Sequence, residues 1–503
     1  MLEIMGTTLV NLLTWPFALW TMLLGTLIGI VVGILPGLGG RLAIALMIPF
    51  VFGMDMIPGA VFLLSLHAVT GTSGQFTSIM FGVPGEGDAA ATIVDGYPMA
   101  KQGKAGLALG ASLMASGVGG VLGALFLAIM IPIVRPIVLA FSPAEFFLLA
   151  LLGITFIAYI SGNDIFKGII VGLMGLMLSF IGMDPQTGTA RYSENFLFLW
   201  DGLDLISAVL AIFAVPEMIA LGVRGGSISN VSRQTSGYDM KQIFQGCRET
   251  FNHWGLVVRT SLIGAVIGVI PGLGGSAASW FCYGHAVQTS KHPERFGHGA
   301  IEGVIAPETA NNSKEGGSLL PTLFFGVPGS SGMAILLGAF LILGIQPGAD
   351  MMTKNLDVVW YLIWALVLSN ILAVAILIFA CRWVTLLTFV RGGLLIPFIL
   401  MICVMGSYLA AGQWESLVIL GLLSVMGYGL LHYNWPRAPF VLGMVLGRIA
   451  EESLHKALNL WGLEFFLRPL SLVLIGLILA TIAWAIYKGR GPKISDTALM
   501  GGG

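Results

Sequence analysis

Two copies of a glycine- and proline-rich motif stand in the two halves of the chain: residues 29–40 read GIVVGILPGLGG, and residues 264–275 read GAVIGVIPGLGG. The pentapeptide FGVPG follows each copy, at residues 81–85 and at residues 325–329. The first motif recurs after 235 residues and the second after 244, and the nine additional residues correspond to a polar insertion around residues 290–297. Two motif pairs in the same order indicate an internal duplication.

Each copy of the longer motif has the composition of a helix that breaks. Glycines recur at every fourth position before the proline, a spacing that lets helices approach closely in lipid. Pro36 and Pro271 each remove a backbone donor, and the glycines that follow do not hold a helix. Unwound backbone at membrane depth is tolerated only where it is buried in protein or lines a cavity. The motif therefore predicts a solute site at two broken helices; the alternative is a kink that only aids packing.

The residues predicted to bind substrate in the breaks and in the FGVPG turns are Pro36, Gly37, Gly39, Gly40, Pro84, Gly85, Pro271, Gly272, Gly274, Gly275, Ser276, Pro328, Gly329, Ser330 and Ser331.

The composition is that of a polytopic membrane protein. Of the 503 residues 56% are hydrophobic and only 10% are charged, too few to cover the surface of a soluble chain of this length. Apolar runs of nearly membrane-spanning length include residues 17–35, 107–131, 203–221, 358–380 and 470–487. We therefore predict an all-α fold surrounded by membrane lipid, with about 11 to 13 membrane segments, some of them re-entrant. The net charge of −1 provides no basic face for nucleic acid.

The distribution of lysine and arginine predicts the orientation in the membrane. Residues 1–40 contain neither residue, whereas residues 224–259 contain five and the C-terminal residues 488–493 contain three. Cytoplasmic loops are enriched in both, so we predict the N-terminus outside and the C-terminus in the cytoplasm. The two motif copies then enter the membrane from opposite sides, as in the inverted repeats of secondary transporters. A parallel repeat is the alternative.

The predicted organisation is a first repeat with a broken helix and hairpin (residues 1–110), connecting transmembrane helices (111–223), a basic cytoplasmic loop (224–259), a second such repeat (260–355), C-terminal transmembrane helices (356–490) and a tail (491–503).

Polar residues inside apolar sequence are further candidates for the site. Arg41 follows the first break, and its guanidinium matches the geometry of a carboxylate, although it also suits interfacial snorkelling. A second group of substrate-binding candidates is Ser73, Gln75, Thr77, Asn311 and Asn312. The candidates for ion coupling are Glu308, Asn312 and Ser313, since carboxylates at membrane depth are costly and often functional. Bonding to neighbouring helices is the alternative role for the uncharged groups.

Several long motifs resemble one known family. They are PGLGG, FGVPGE at residues 81–86, DGYPMAKQGKAG at residues 95–106, KHPERFGHGAIEGVIAPETANN at residues 291–312, GGSLLPTLFFGVPGS at residues 316–330 and LGIQPG at residues 343–348. Over roughly its whole length the chain is similar to the large membrane subunit of tripartite tricarboxylate transporters, the TctA family.

The resemblance implies the permease subunit of a bacterial inner-membrane uptake system. Its partners would be a small four-helix membrane subunit and a periplasmic solute-binding protein that delivers a small carboxylate. Transport would be a symport driven by Na⁺ or H⁺, by alternating access and without a cofactor or ATPase; the sequence contains no GxxxxGK[ST] phosphate loop. A non-carboxylate small solute is the alternative substrate. An intramembrane enzyme is a rival class, although neither HExxH nor GxSxG occurs; a channel and a membrane anchor are the others.

Overall fold

The computed structural model describes residues 2–35, 39–82, 87–160, 165–184, 187–193, 196–224, 240–271, 273–387 and 392–489. The first eleven helices are α1 (Leu2–Thr14), α2 (Pro16–Ile34), α3 (Gly39–Val51), α4 (Met56–Phe81), α5 (Ala90–Lys101), α6 (Ala105–Leu139), α7 (Pro143–Ile160), α8 (Ile165–Ser179), α9 (Leu205–Val209), α10 (Val215–Arg224) and α11 (Met240–Asn252). The next ten are α12 (Trp254–Val269), α13 (Gly274–Thr289), α14 (Glu302–Phe325), α15 (Ser331–Ile342), α16 (Asp350–Thr353), α17 (Leu356–Leu387), α18 (Gly392–Ala411), α19 (Glu415–His432), α20 (Ala438–Trp461) and α21 (Pro469–Gly489).

The predicted all-α polytopic class is confirmed. The only strands in the described residues are β1 (Gly182–Met183) and β2 (Ala190–Arg191), which pair antiparallel. Six helices of the described chain are long and apolar enough to cross a membrane: Pro16–Ile34, Met56–Phe81, Ala105–Leu139, Leu205–Val223, Leu356–Cys381 and Glu415–His432. A pair bent by 69°, Ala438–Leu467 and Pro469–Thr481, counts as a seventh span if its two helices cross the membrane as one. Six shorter apolar helices of the described chain, among them α3, α12 and α15, have 10–17 residues.

Both long motifs break a helix in the same way. α2 ends before Leu35, which is extended with φ −76° and ψ 111°, and α12 ends before Ile270, with φ −79° and ψ 114°. The next helices begin at Gly39 and Gly274, whose φ values of 57° and 65° lie in the left-handed region that favours glycine. The predicted helix break is therefore confirmed in both motifs: one helix ends before the proline and the next begins at a glycine after it.

The two FGVPG motifs also end their helices alike. Gly82 after α4 and Gly326 after α14 are left-handed, with φ values of 67° and 68°. Such a residue at the C-terminal cap stops a helix while its amide satisfies an end carbonyl. The two halves thus share a local order of broken helix, long helix and turn.

Glycine contacts show that this order is packed equivalently in both halves. α2 lies on α4, and α12 lies on α14. A Cβ on Gly29 would stand 2.6 Å from the carbonyl oxygen of Leu66, and one on Gly264 would stand 2.7 Å from the Cα of Ala310. The partners are related by the 244-residue offset of the second motif, as Leu66 becomes Ala310. The duplication therefore extends to helix contacts, and the inverted relation of the two repeats stays a prediction.

The long helices of each half pack on the other half. α6 lies along α14, while α17 lies along α4 and α2. Within the segment predicted as the basic loop, α11 packs on the beginning of α6, where Thr250 Oγ donates to the Ala111 carbonyl at 3.1 Å. α12 already begins at Trp254. The reciprocal packing places α4 and α14 near the centre of the molecule, where both are almost wholly buried.

Candidate functional site

A polar cavity of about 450 Å³ lies where three helices begin. Its lining includes Arg41 from the first turn of α3, the first three residues of α13, and Ser331 and Gly332 at the start of α15. The amides of a first helical turn have no partner within the helix and carry partial positive charge, so such ends favour anions. The remaining lining residues are His67 of α4, Asp88, Phe213, Leu273, Lys314 of α14, Ser330 and residues 431 and 434–438 between α19 and α20.

A buried chain of charges forms one wall of this cavity. Lys314, only 4% exposed, donates from Nζ to Asp88 Oδ2 at 2.8 Å and lies 2.9 Å from Glu315 Oε1. The other Glu315 oxygen lies 3.4 Å from His67 Nε2. Ser276 at the start of α13 donates to Asp88 Oδ1 at 2.7 Å. Lys314 is therefore held by two carboxylates that come from different halves of the chain.

The two arginines that line the cavity differ in their hydrogen bonds to the rest of the protein. Arg437 donates to Glu217 Oε1 at 2.5 Å and to the Ile212 carbonyl at 3.2 Å, and its guanidinium lies over the Phe213 ring. Arg41 is exposed and makes no hydrogen bond or ion pair within the described part of the chain. Arg41 is thus the guanidinium available to an anion that enters the cavity.

Two glycines of the cavity lining lie so close to polar side chains that a Cβ at either position would collide with one. A Cβ on Gly275 would stand 2.6 Å from the Cε of Lys314, and one on Gly332 would stand 2.5 Å from the His67 ring. Ser330, whose Oγ accepts from the Met333 amide at 3.2 Å, caps α15 beside them. The motif glycines therefore bring helix ends close to buried charges.

A second polar cluster surrounds Glu308, away from the cavity lining. Glu308 is 1% exposed, and its two oxygens accept hydrogen bonds from Thr92 of α5 and, at 3.2 Å, from Ser116 of α6. Gln75 of α4 donates to Ser116 Oγ at 2.8 Å and accepts from Ser112. The cluster joins four helices through hydroxyl, amide and carboxyl groups.

An asparagine pair lies between the cluster and the cavity. Asn312 Nδ2 donates to Thr72 Oγ1 and to Asn370 Oδ1, both at 2.7 Å. Asn311 is 3% exposed, and its Nδ2 has no hydrogen-bond partner among the described residues. α14 therefore carries polar groups along most of its buried length.

The structure brings only part of the predicted site together. The cavity lining contains six of the predicted residues: Arg41, Gly274, Gly275, Ser276, Ser330 and Ser331. Gly39 and Gly40 begin α3, Pro271 follows the second break, and Pro328 and Gly329 form the turn before α15. Pro36, Gly37, Pro84, Gly85 and Gly272 lie outside the described residues.

The other predicted polar residues lie at helix contacts. Ser73 donates to the Gly29 carbonyl at 3.2 Å, so it joins α4 to α2. Thr77 and Ser313 donate within their own helices, to the carbonyls of Gly74 and Ala310. Gln75, Asn312 and Glu308 belong to the buried network rather than to the cavity lining.

Sequence reasoning missed the residues that give the cavity its charge. Asp88 and Lys314 are 226 positions apart, and their pairing depends on the packing of the first half on α14. Arg437 lies in a region of short apolar runs and scattered charges. A signal was present at Lys314 and Glu315, an adjacent pair of opposite charges within sequence that is otherwise rich in small and apolar residues.

Comparisons with known proteins agree with this architecture. Residues 19–442 match the family described as the tripartite tricarboxylate transporter TctA family. An Agrobacterium vitis protein described as an uncharacterized 52.8 kDa protein in the TAR-I ttuC' 3' region is 32% identical over 474 residues, which cover 93% of each chain. A second A. vitis protein, described as an uncharacterized protein in the TAR-II ttuC' 3' region, is 34% identical over 234 residues, 46% of this chain and 96% of its own. No solved structure matches significantly. The family match spans most of the chain, which therefore belongs to the tripartite tricarboxylate transporter TctA family.

Proposed function

We propose that this chain is the large permease subunit of a binding-protein-dependent secondary transporter that imports small carboxylates. The observation that carries the proposal is the cavity in which the beginnings of α3, α13 and α15 meet Arg41 and Lys314. Helix N-termini and guanidinium groups both suit carboxylates. Membership of a transporter family favours this reading over an enzyme.

Arg41 is the residue that we expect to pair with the substrate. Lys314 is already bonded to Asp88 and Glu315, so its charge is largely balanced before a ligand arrives. Arg41 makes no hydrogen bond or ion pair with a described residue, although its charge acts at longer range on the Asp88 carboxylate. Its planar guanidinium offers two parallel donors to one carboxylate. The amides at the start of α13 and α15 would receive further carboxylate oxygens of the same ligand.

A second cavity supports transport by alternating access. It measures about 600 Å³ and shares no described lining residue with the first. α15 has its first residues in the first cavity and Leu341 and Ile342 in the second, about 15 Å along the helix axis. Buried apolar residues of α15 and α20, such as Leu337 and Val441, lie between them. We propose that movement of the two repeats about this barrier exposes the site to one side at a time.

The remaining features of the proposed system follow from the family and from charge. The partners are a small four-helix membrane subunit and a periplasmic solute-binding protein, in the bacterial inner membrane. The N-terminus lies outside and the C-terminus in the cytoplasm, with the repeats inverted. Coupling is to Na⁺ or H⁺ through Glu308, Asn312 and Ser313, a symport without a cofactor.

Uptake into proteoliposomes tests the proposal. The vesicles contain this chain with its small subunit, the binding protein is added outside, and labelled citrate, malate and succinate are supplied under a Na⁺ or H⁺ gradient. We expect saturable, gradient-driven uptake that requires the binding protein. Non-saturable flux would indicate a channel. Uptake of uncharged solutes but of no carboxylate would show that carboxylates are not the substrate class.

The substitution Arg41→Gln tests the site itself. Removal of a charged hydrogen-bond donor should raise the half-saturating carboxylate concentration about tenfold or more. The matched control is Arg259→Gln, because Arg259 on α12 is also exposed and donates only to the Gly255 carbonyl of its own helix. Equal half-saturating concentrations in the two variants would remove Arg41 from the site.

A further inference from the structure

We propose that the coupling ion is a proton and that Glu308 carries it, in a site completed by Thr92, Ser116 and Gln75. This inference rests on the proposed transport function, because it names the ion and the group that drive it. The site is distinct from the cavity, since Glu308 and its three partners do not line the cavity.

Glu308 is a buried carboxyl group without a cationic partner in the described part of the chain. Both of its oxygens accept from hydroxyl groups, and no lysine, arginine or histidine of the described chain pairs with it. An isolated ionised carboxylate at 1% exposure is very costly, and in practice such a group takes up a proton. Glu315, on the same helix, shows the contrast: its carboxylate lies against Lys314 and His67. The chain therefore places a cation, Lys314, against one buried carboxylate and hydroxyl groups against the other.

The position of Glu308 suits coupling to the cavity. Glu308, Asn312 and Glu315 are spaced by four and three residues, so they follow one face of α14. Glu315 stands beside the cavity residues Lys314 and His67, and lies two helical turns, about 10 Å, from Glu308. A change at the cavity can thus reach Glu308 through a single buried helix and its amide contacts.

Polar groups also continue from Glu308 towards the beginning of α14. Thr92 lies one helical turn from Asp95 on α5. Asp95 accepts from the Tyr283 hydroxyl and from the amides of Gly299 and Ala300, each at 2.9 Å. Those amides belong to the segment before α14, in which His298 is exposed. A proton therefore has polar groups on both sides of Glu308, towards the cavity and towards this surface.

Other titratable groups must be separated from Glu308 in any pH experiment. The titratable and charged groups of the helices that supply its partners are His67 on α4, Asp95, Tyr97 and Lys101 on α5, and Arg135 on α6; α14 itself adds Glu302, Lys314 and Glu315, and Asp88 lies in the short helix before α5. Of these, Asp88, Lys314, Glu315 and His67 form the cavity chain, in which Lys314 contacts both carboxylates. Variants at Glu308 and its hydroxyl partners therefore separate the two systems.

The decisive variant is Glu308→Gln in the complete complex, with labelled citrate, malate and succinate as probes. Glutamine resembles the protonated acid but does not release a proton. We expect loss of accumulation driven by a pH gradient, while exchange of labelled for unlabelled carboxylate across the membrane continues. The control is Glu294→Gln, an exposed carboxylate in the segment before α14, which should keep both activities.

The outcomes distinguish this inference from the transport proposal. Accumulation driven by a pH gradient in the Glu308→Gln variant overturns the inference, as does wild-type uptake that follows Na⁺ and ignores pH. Absence of any carboxylate uptake by the wild-type complex overturns the transport proposal and this inference with it.

A second pair of variants keeps the test decisive if Glu308→Gln does not fold. Ser116→Ala and Thr92→Val each remove one hydroxyl donor and leave the carboxyl group in place. Loss of such a donor makes protonation easier, so half-maximal uptake should move to a proton concentration about threefold lower. An unchanged pH profile in both variants overturns the inference.

Discussion

Helices α4 and α14 occupy equivalent places in the two halves, yet they carry different chemistry. Both end at a left-handed glycine, and both receive a glycine-rich helix on the same face. The 244-residue offset places Thr70 of α4 opposite Lys314 of α14, and Leu64 opposite Glu308. α4 is apolar enough to be counted as a membrane span, whereas α14 carries four charged residues and is not.

The two helices share the residues that determine helix packing but not the charged residues at the cavity. Glycine contacts are shared by both halves because they determine how closely the backbones approach. Charged groups are not shared: the first half contributes Arg41 and Asp88, and the second contributes Lys314, Glu315 and Arg437. The helix packing around the cavity is therefore common to both halves, whereas its charged side chains differ between them. Substitutions at equivalent positions of the two halves distinguish the effect of the packing from the effect of the charges.

The largest contrast is expected between Lys314→Met and Thr70→Val. Removal of the Lys314 ammonium leaves Asp88 and Glu315 as buried carboxylates without their cation, which should cost about 3–5 kcal/mol of stability and abolish uptake. Among the described residues the Thr70 hydroxyl donates to the His67 carbonyl of its own helix, at 2.7 Å, so its change should cost about 1 kcal/mol or less. Thermal unfolding of the purified complex and uptake by proteoliposomes measure both effects. Similar losses of stability and uptake in the two variants would contradict the difference in chemistry between α4 and α14.

A smaller and symmetric effect is expected from Gly29→Ala and Gly264→Ala. In each half the new Cβ would stand within 3 Å of the backbone of the facing helix, so the helices must separate. Such overpacking typically costs about 1–3 kcal/mol. The control is Gly255→Ala on α12, where the Cβ meets open space and alanine should be neutral or stabilising. If one half tolerated the change and the other did not, the equivalence of the two halves would fail.

Much of the framework is predictable from local sequence. The apolar run at residues 17–35 corresponds to α2, Pro16–Ile34, and the run at residues 358–380 lies within α17, Leu356–Leu387. Proline and glycine act locally, so the two helix breaks and the two left-handed caps follow directly from the motifs. Arg41, Ser276 and Ser330 line the cavity because each stands at or just before the first turn of a helix that follows a break or turn. Substrate binding by these residues stays a prediction.

The charged part of the site is not predictable in this way, because it depends on contacts between distant segments. Asp88 meets Lys314 only after the short helix Gly87–Ala89 has packed on α14, and Arg437 reaches the cavity from the segment before α20. Conversely, Ser73 and Thr77 lie in a polar stretch that suggests a binding surface, but Ser73 donates to the Gly29 carbonyl of α2 and Thr77 donates to the Gly74 carbonyl of its own helix. Local polarity does not distinguish a group that faces a cavity from one that joins two helices.

The smallest effect is expected at the cap of α15. Ser330 Oγ accepts from the Met333 amide at 3.2 Å, so Ser330→Ala should cost about 1 kcal/mol and loosen the start of α15. Ser331→Ala is the matched control, because Ser331 lines the cavity one residue later and does not cap the helix. The midpoint temperature of thermal unfolding should fall only for Ser330→Ala. For Ser331→Ala we expect a higher half-saturating carboxylate concentration and an unchanged unfolding temperature. A loss of stability at Ser331 with none at Ser330 would mean that the turn before α15 is held by contacts other than its cap.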